Sequence, residues 1–501
     1  MNDRKSIVVP AIRAGAAALL LALAVLPVGA GAATVTTLPA SPVGRLGGQM
    51  IRHINADDPA QIRQWASGVL AASIAEDDKQ AFITDMISAV QDSGGVDIFD
   101  VQTDPQHPGP LQIVLKARRG GRLGLFVLAA DQAQPGKLAQ AAAYPMDDPG
   151  LYAALPRVAV SRAQMAQAIG ATLDRLVKAD DFAGCVTVIE HDTTVLDACR
   201  GVAERNFGAR IDHNTKFHIG SMDKMFTAVA IAQLAEAGKL SWSDTLAKWV
   251  PEYPDQRTAR KITLWQLLHH TAGLGDFLVP EYFQHSKSYL DPVDYLGLIA
   301  RQPLAGAPGK QWSYSNAGYM LLGRVIENVS HERYFDYVQR HVFAPAGMTA
   351  TGFDRLDEVT PDLAVGYFHD GVFARNWKPD WMELGVEGGP AGGGYSTNTD
   401  LLRFASALRA GKLVRPATLE KIFSDEVPAG PGGDAAGFGD RLSHNRHIRG
   451  HSGGIEGTTA DLQMVWETGA TVALTSNEGP SQTWLLAEYI ADLLAAENQK
   501  P

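Results

Sequence analysis

The sequence predicts an α+β protein in two folded parts: a small α+β module, then a larger region built on one mixed or antiparallel sheet flanked by helices. Three observations predict this. First, two stretches of helical periodicity before residue 94 give way to three strand-like runs, 96–101, 111–116 and 123–128. Second, the region after Pro156 carries a strand hairpin over 185–203 near its start, after one helix. It closes with two apolar strands at 459–466 and 471–476, with mostly helical text between. Strands at both ends with helices between them assemble one sheet from the two termini. Third, a stretch punctuated by Pro and Gly, 134–156, separates the two parts.

The elements follow in order. Arg4, Lys5 and Arg13 precede an apolar run over 14–28, and Ala30-Gly31-Ala32 offers a small-residue cleavage site. That order is the signature of a secretory signal peptide over 1–32. It points to a periplasmic or secreted protein with no stable membrane insertion after signal removal. A small module spans 43–133. Asp57-Asp58-Pro59 starts a helix whose Ile62, Trp65, Ala66, Val69 and Leu70 form one stripe. Phe82, Ile83, Met86, Ile87 and Val90 mark a second helix, ended by Gly94-Gly95. Gly120-Gly121 turns between the last two strands. The pattern is weakly similar to cystatin-like or NTF2-like modules. The linker occupies 134–156 and the large domain 157–497. Within it a helix starts near Ser161, and a terminal helix starts near Thr483.

Composition narrows the function. At 46% hydrophobic and 20% charged the chain folds into globular domains. Its net charge is −11, or −13 once the three basic residues and one acidic residue of 1–32 are removed. No basic tract is present, which argues against nucleic acid as a partner. Two cysteines, Cys185 and Cys199, are too few for a cysteine-rich zinc site. They flank a hairpin turn near His191-Asp192-Thr193. A three-residue loop sets them face to face, and a two-residue loop sends them to opposite faces.

Three motifs carry chemistry. In the first, Ser221-Met222-Asp223-Lys224 leads into a run, 225–237, that is apolar nearly all round and therefore buried. Lys224 lies one turn beyond Ser221 on the same face. A serine hydroxyl needs a neighbouring base, and a buried lysine gives up its proton readily. In the second, Tyr314-Ser315-Asn316 offers a phenol as proton carrier and an amide. The third, His451-Ser452-Gly453-Gly454, lies just before the C-terminal strand pair, and its glycines allow close backbone approach. Each motif alone is common. A helix often begins with Ser and carries Lys one turn on.

Together and in this order, the three motifs resemble the serine β-lactamase and penicillin-binding-protein superfamily, in the branch of class C β-lactamases, D-alanyl-D-alanine carboxypeptidases and family VIII carboxylesterases. The runs 267–274, 345–348 and 392–397 agree with it. The resemblance covers roughly 160 to 495 and implies a β-lactamase-like sheet flanked by helices plus a helical lobe. It implies Ser221 as acylated nucleophile, with Lys224 and Tyr314 sharing acid–base work. Asn316, His451, Gly453 and Gly454 would be substrate-binding, with the Ser221 and Gly454 N–H groups as oxyanion hole. His451 departs from the β-lactamase pattern, where Lys is usual.

The expected function is thus an exported serine hydrolase working through an acyl-enzyme on a small-molecule ester, amide or peptide. It is expected to be an esterase or D-amino-acid peptidase, with a β-lactamase as the alternative and with no metal or organic cofactor. A catalytically silent binder of cell-wall fragments on the same scaffold is the reading from another class. A metallohydrolase built on His444, His447 and His451 is the third. Those histidines read as a loop with no completing carboxylate, and His269-His270 as residues that order a loop.

Overall fold

The computed structural model describes residues 35–102, 110–158, 160–191, 193–383, 385–423, 436–479 and 481–496. The expected signal peptide lies outside the described residues. The chain forms two compact units. One holds the described residues through Ala153 together with Phe368–Lys378; the other holds Ala154–Tyr367 and the described residues from Pro379 on.

The smaller unit has three helices, α1 (Pro42–Asn55), α2 (Pro59–Val69) and α3 (Glu76–Ser93). They precede four strands, β1 (Val96–Gln102), β2 (Leu111–Ala117), β3 (Leu123–Ala130) and β4 (Leu138–Met146). The strands pair antiparallel in chain order. Asp58 caps α2 through Ala60 N and Gln61 N, and Gly94 ends α3 at φ 62°. Two elements differ from the sequence reading. Helix α1 is additional: Ser41 caps it, and Leu46, Met50 and Ile54 bury one stripe. Strand β4 takes Leu138–Met146, in the middle of the stretch 134–156 read as linker, into the module's sheet.

The unit is also discontinuous in sequence. Two short strands, Tyr367–His369 and Trp377–Pro379, bracket a loop whose Val372 and Phe373 are buried in this core. The Phe373 ring lies 6.0 Å from that of Phe126 on β3. Gly124 makes room, since a Cβ there would come within 2.4 Å of Val372.

The larger unit opens with α4 (Arg162–Ala179), capped reciprocally by Ser161 and Gln164. Strands β5 (Gly184–Glu190) and β6 (Thr193–Arg200) follow, then a short strand, β7 (Phe217–His218). The principal helices after it are α5 (Asp223–Glu236), α6 (Asn316–Ser330) and α7 (Asn398–Arg409), with β8 (Tyr395–Ser396) pairing to β7. Four strands, β9 (Gly439–Ser443), β10 (Arg446–Ile455), β11 (Thr458–Val465) and β12 (Thr471–Ser476), lead to α8 (Trp484–Ala496). The sheet runs β9-β10-β11-β12-β5-β6 and is antiparallel throughout. Both ends of the region therefore meet in one sheet, as the sequence predicts. Helix α5 is buried on nearly every side, and Phe226 packs edge-on against Phe343 and Phe404 at 5.0 and 4.9 Å.

The hairpin joining β5 and β6 satisfies neither loop expectation by itself. Glu190 faces Thr193, the register of a two-residue loop, yet a bulge between Val188 and Ile189 restores Cys185 opposite Cys199. The two form a disulfide.

Candidate active site

Ser221 lies in a single 3-10 turn, Gly220–Met222, that runs straight into α5. Gly220 takes φ 51°, and a Cβ there would come 3.0 Å from the Gly454 nitrogen. Gly453 is tighter still. A Cβ on it would meet the Ile219 carbonyl oxygen at 1.8 Å and the Ser221 nitrogen at 3.2 Å. The two glycines therefore let β10 pass against the serine turn, with the N–H groups of Ser221 and Gly454 on adjoining backbone.

Lys224 is fully buried at the start of α5. Its Nζ lies 3.1 Å from Ser221 Oγ and 2.8 Å from Asn316 Oδ1, and also donates to the Ala391 carbonyl. None of these partners carries a formal charge. Burial therefore dominates, and it pushes the lysine down from 10.5 to about 7, against the opposing fields of Asp276 and Asp223. A neutral amine has two N–H bonds and one lone pair. Asn316 Oδ1 and Ala391 O can only accept, so they take the two hydrogens and leave the lone pair for the Ser221 hydroxyl.

Tyr314 and Asn316 flank Ser315, which caps α6 by accepting from Gly318 N at 3.1 Å. The Tyr314 ring centroid lies 4.9 Å from Lys224 Nζ. His270 stacks on that ring at 4.5 Å, and its Nδ1 accepts from Ser315 N at 3.0 Å. Burial holds this imidazole well below its ordinary value, so it is neutral with its proton on Nε2. Of the histidine pair read as ordering a loop, His270 holds the backbone at Ser315 and its ring stacks on the tyrosine, while the His269 ring packs on Trp265.

His451 precedes the C-terminal strand pair as expected, but lies in a strand of its own, β10, opposite Leu462 of β11. Burial pushes it down to about 4, with Lys224 adding to the effect. Arg449, two residues earlier, is bound to Asp440 at 3.0 Å and rests on the Phe423 ring. His444 is in the turn between β9 and β10, and His447 Nδ1 lies 2.8 Å from Asp440. Among the described residues no group of His, Cys, Asp and Glu is arranged to hold a metal ion.

The structure thus brings Ser221, Lys224, Tyr314, Asn316, Gly453 and Gly454 to one locus. Sequence reasoning missed three contributors. The Ala391 carbonyl is a backbone atom without a signature, although the glycines around it in 388–394 mark a tight approach. Asp223 is buried beside Lys224, and its carboxylate accepts from Gly394 N at 2.6 Å; burial raises it to about 7. Asp276 accepts from Asn316 Nδ2 at 2.9 Å.

A serine under the lone pair of a buried lysine, beside two adjoining backbone N–H groups, is an arrangement that can perform the acyl transfer of a serine hydrolase. Residues 169–496 match the β-lactamase family, and the chain belongs to it. Among similar sequences is PbpX of Bacillus subtilis (strain 168), provisionally named a penicillin-binding protein. It is 32% identical over 50% of this chain and 61% of that protein, so the chain spans about three fifths of that relative's length. A penicillin-binding protein of Bacillus halodurans matches in structure with a TM-score of 0.57 and 27% identity, over 64% of this chain and 98% of that one. The D-amino acid amidase of Ochrobactrum anthropi SV3, in complex with L-phenylalanine amide, matches with a TM-score of 0.54 and 25% identity, over 65% and 95%.

Proposed function

We propose that the protein is an exported serine hydrolase that forms an acyl-enzyme on Ser221 and cleaves esters or D-amino-acid amides and peptides in preference to β-lactams. The setting of Lys224 carries this reading. Near neutral pH the amine is poised between its two forms, with its lone pair directed at the nucleophile. Ser221 Oγ attacks the substrate carbonyl while Lys224 takes the hydroxyl proton. The N–H groups of Ser221 and Gly454 stabilise the oxyanion, and donors of that kind are each worth about 3 kcal/mol of barrier. The tetrahedral intermediate collapses, the C–O or C–N bond breaks, and Tyr314 relays the proton from Lys224 to the leaving group. Water then hydrolyses the ester on Ser221 by the same steps in reverse. Asn316 holds the acyl side of the substrate.

The preference rests on His451 and Arg449. A β-lactam bears a carboxylate, which a fixed cation would hold. Here His451 is neutral at pH 7, and Arg449 is committed to Asp440. The amidase among the structural relatives supports the amide arm of the proposal. The apolar leader sequence and the disulfide support export, since such bridges persist in oxidising compartments. The test is kcat/KM for p-nitrophenyl butyrate, a D-amino-acid amide, a D-alanyl peptide and nitrocefin under one condition. Ester or D-amide turnover should lead, and nitrocefin fastest by more than tenfold contradicts the proposal.

A further inference from the structure

Asp276 has no part in the acyl-transfer scheme, yet both its carboxylate oxygens are committed at the site. Oδ1 accepts from Phe277 N at 2.7 Å and Leu278 N at 3.3 Å, which fixes the carboxylate to its own loop. That loop is held in turn. Gly309 N donates to Thr271 O at 2.7 Å, and Ala305 N donates to Gly273 O at 3.0 Å. At Gly273, φ is 68°, and a Cβ would meet the Gly306 carbonyl oxygen at 2.3 Å. From this anchored position Oδ2 reaches Asn316 Nδ2 at 2.9 Å and Asn316 N at 3.4 Å.

The consequence lies in the amide of Asn316. That side chain has one acceptor end and one donor end. In its ammonium form Lys224 Nζ can use only the acceptor end; in its neutral form an Asn316 NH2 turned toward it would take the lone pair that Ser221 needs; and the Asp276 carboxylate can use only the donor end. Rotating the amide by half a turn would set its NH2 against the lysine N–H bonds and its oxygen against the carboxylate. Asp276 therefore decides which way Asn316 faces, and through it where the Lys224 lone pair points. The carboxylate also places a negative charge one side chain away from Lys224.

We propose that Asp276 is a positioning residue of this site: it locks the Asn316 amide with its oxygen toward Lys224, and its charge sets the field in which Lys224 gains and loses its proton. This rests on the acyl-enzyme reading above. The other groups facing Lys224 are Asp223 on its own helix, His270, His451, Tyr314 and Tyr319. His270 and His451 are neutral near pH 7. Asp223 remains in place in every variant below, so a change in the pH profile reports Asp276.

The experiment measures the rate constant of covalent inactivation by an uncharged fluorophosphonate from pH 5 to 9 in the full chain. Asp276→Asn removes the charge and keeps one acceptor oxygen where Asp276 uses two, so its acid limb and not its plateau carries the test. Without that charge the ammonium form is less favoured, so the acid limb should move toward lower pH by about one unit. Asp276→Ala removes the lock as well, and its plateau should fall at least about tenfold. Asp276→Glu keeps the charge and should leave the limb near its wild-type position. The Asn and Glu variants carry the test even where the Ala variant does not fold. A limb that stays in place in Asp276→Asn overturns the proposal, whatever happens to the plateau. A wild type that takes no label overturns the acyl-enzyme reading instead, which is a different result.

Discussion

Lowering the pH should switch the nucleophile off by protonating Lys224, and the size of the effect follows from its surroundings. An ordinary lysine at 10.5 is neutral in only about 3 of 10,000 molecules at pH 7, whereas one at about 7 is neutral in about half. Burial thus supplies about a thousandfold more base. The sign is fixed by the direction of the shift: the neutral form reacts, so reactivity rises with pH through about 7 and levels off above it. From pH 8 to pH 5 the neutral fraction falls from about 0.9 to about 0.01, so the rate should fall nearly a hundredfold, approaching tenfold per unit below 6. Asp223 is raised to the same region, so the limb reports the pair. The assay is inactivation by an uncharged fluorophosphonate, whose own charge does not change with pH. Lys224→Ala should react slower by about 10²–10⁴-fold and lose the limb. A wild-type rate that is flat from pH 5 to 8, or a limb that survives in Lys224→Ala, refutes the assignment of Lys224 as the base.

Gly453→Ala should abolish labelling of Ser221, because its Cβ would overlap the Ile219 carbonyl oxygen at 1.8 Å and displace the serine turn; retained labelling would mean that the two segments part easily. Replacing Cys185 and Cys199 by Ser should cost about 3 kcal/mol, since the bridge closes residues 14 apart. An unchanged urea midpoint for the larger unit would count against that. Phe373→Ala should destabilise the smaller unit by about 3–5 kcal/mol, although it lies far in sequence from that unit's helices and four-stranded sheet. The check is proteolytic clipping in the module, which should rise in this variant and not in Phe207→Ala, a fully surface-facing control.

The local part of the site was legible in the sequence. Ser221 and Lys224 are three residues apart on a helix start, and the apolar run behind them announces burial. The desolvation that makes the lysine a base was therefore readable before any coordinates. Tyr314 and Asn316 lie about 90 residues away, and nothing local joins them to Lys224; they came from the resemblance of three ordered motifs. Asp276 and the Ala391 carbonyl act through tertiary contact alone. Strand β4 escaped because its alanines and Pro145 are weak strand formers, and pairing with β3 overrides that preference. Helix α1 escaped because Gly44, Gly47 and Gly48 lower helix propensity. At Gly47 a Cβ would come 2.6 Å from the end of the Ile113 side chain, so the helix packs closely on β2 there. The strand character of the segment around His451 is hidden by Gly450, Gly453 and Gly454, which are weak strand formers. In the fold, β10 is held on both sides by β9 and β11.

The central claim is that Ser221 becomes covalently acylated with Lys224 as its base. Mass spectrometry after fluorophosphonate treatment tests it most directly. The account predicts one adduct, on the peptide that contains Ser221, and none in Ser221→Ala. An adduct on another residue, or labelling that persists undiminished in folded Ser221→Ala, would contradict it.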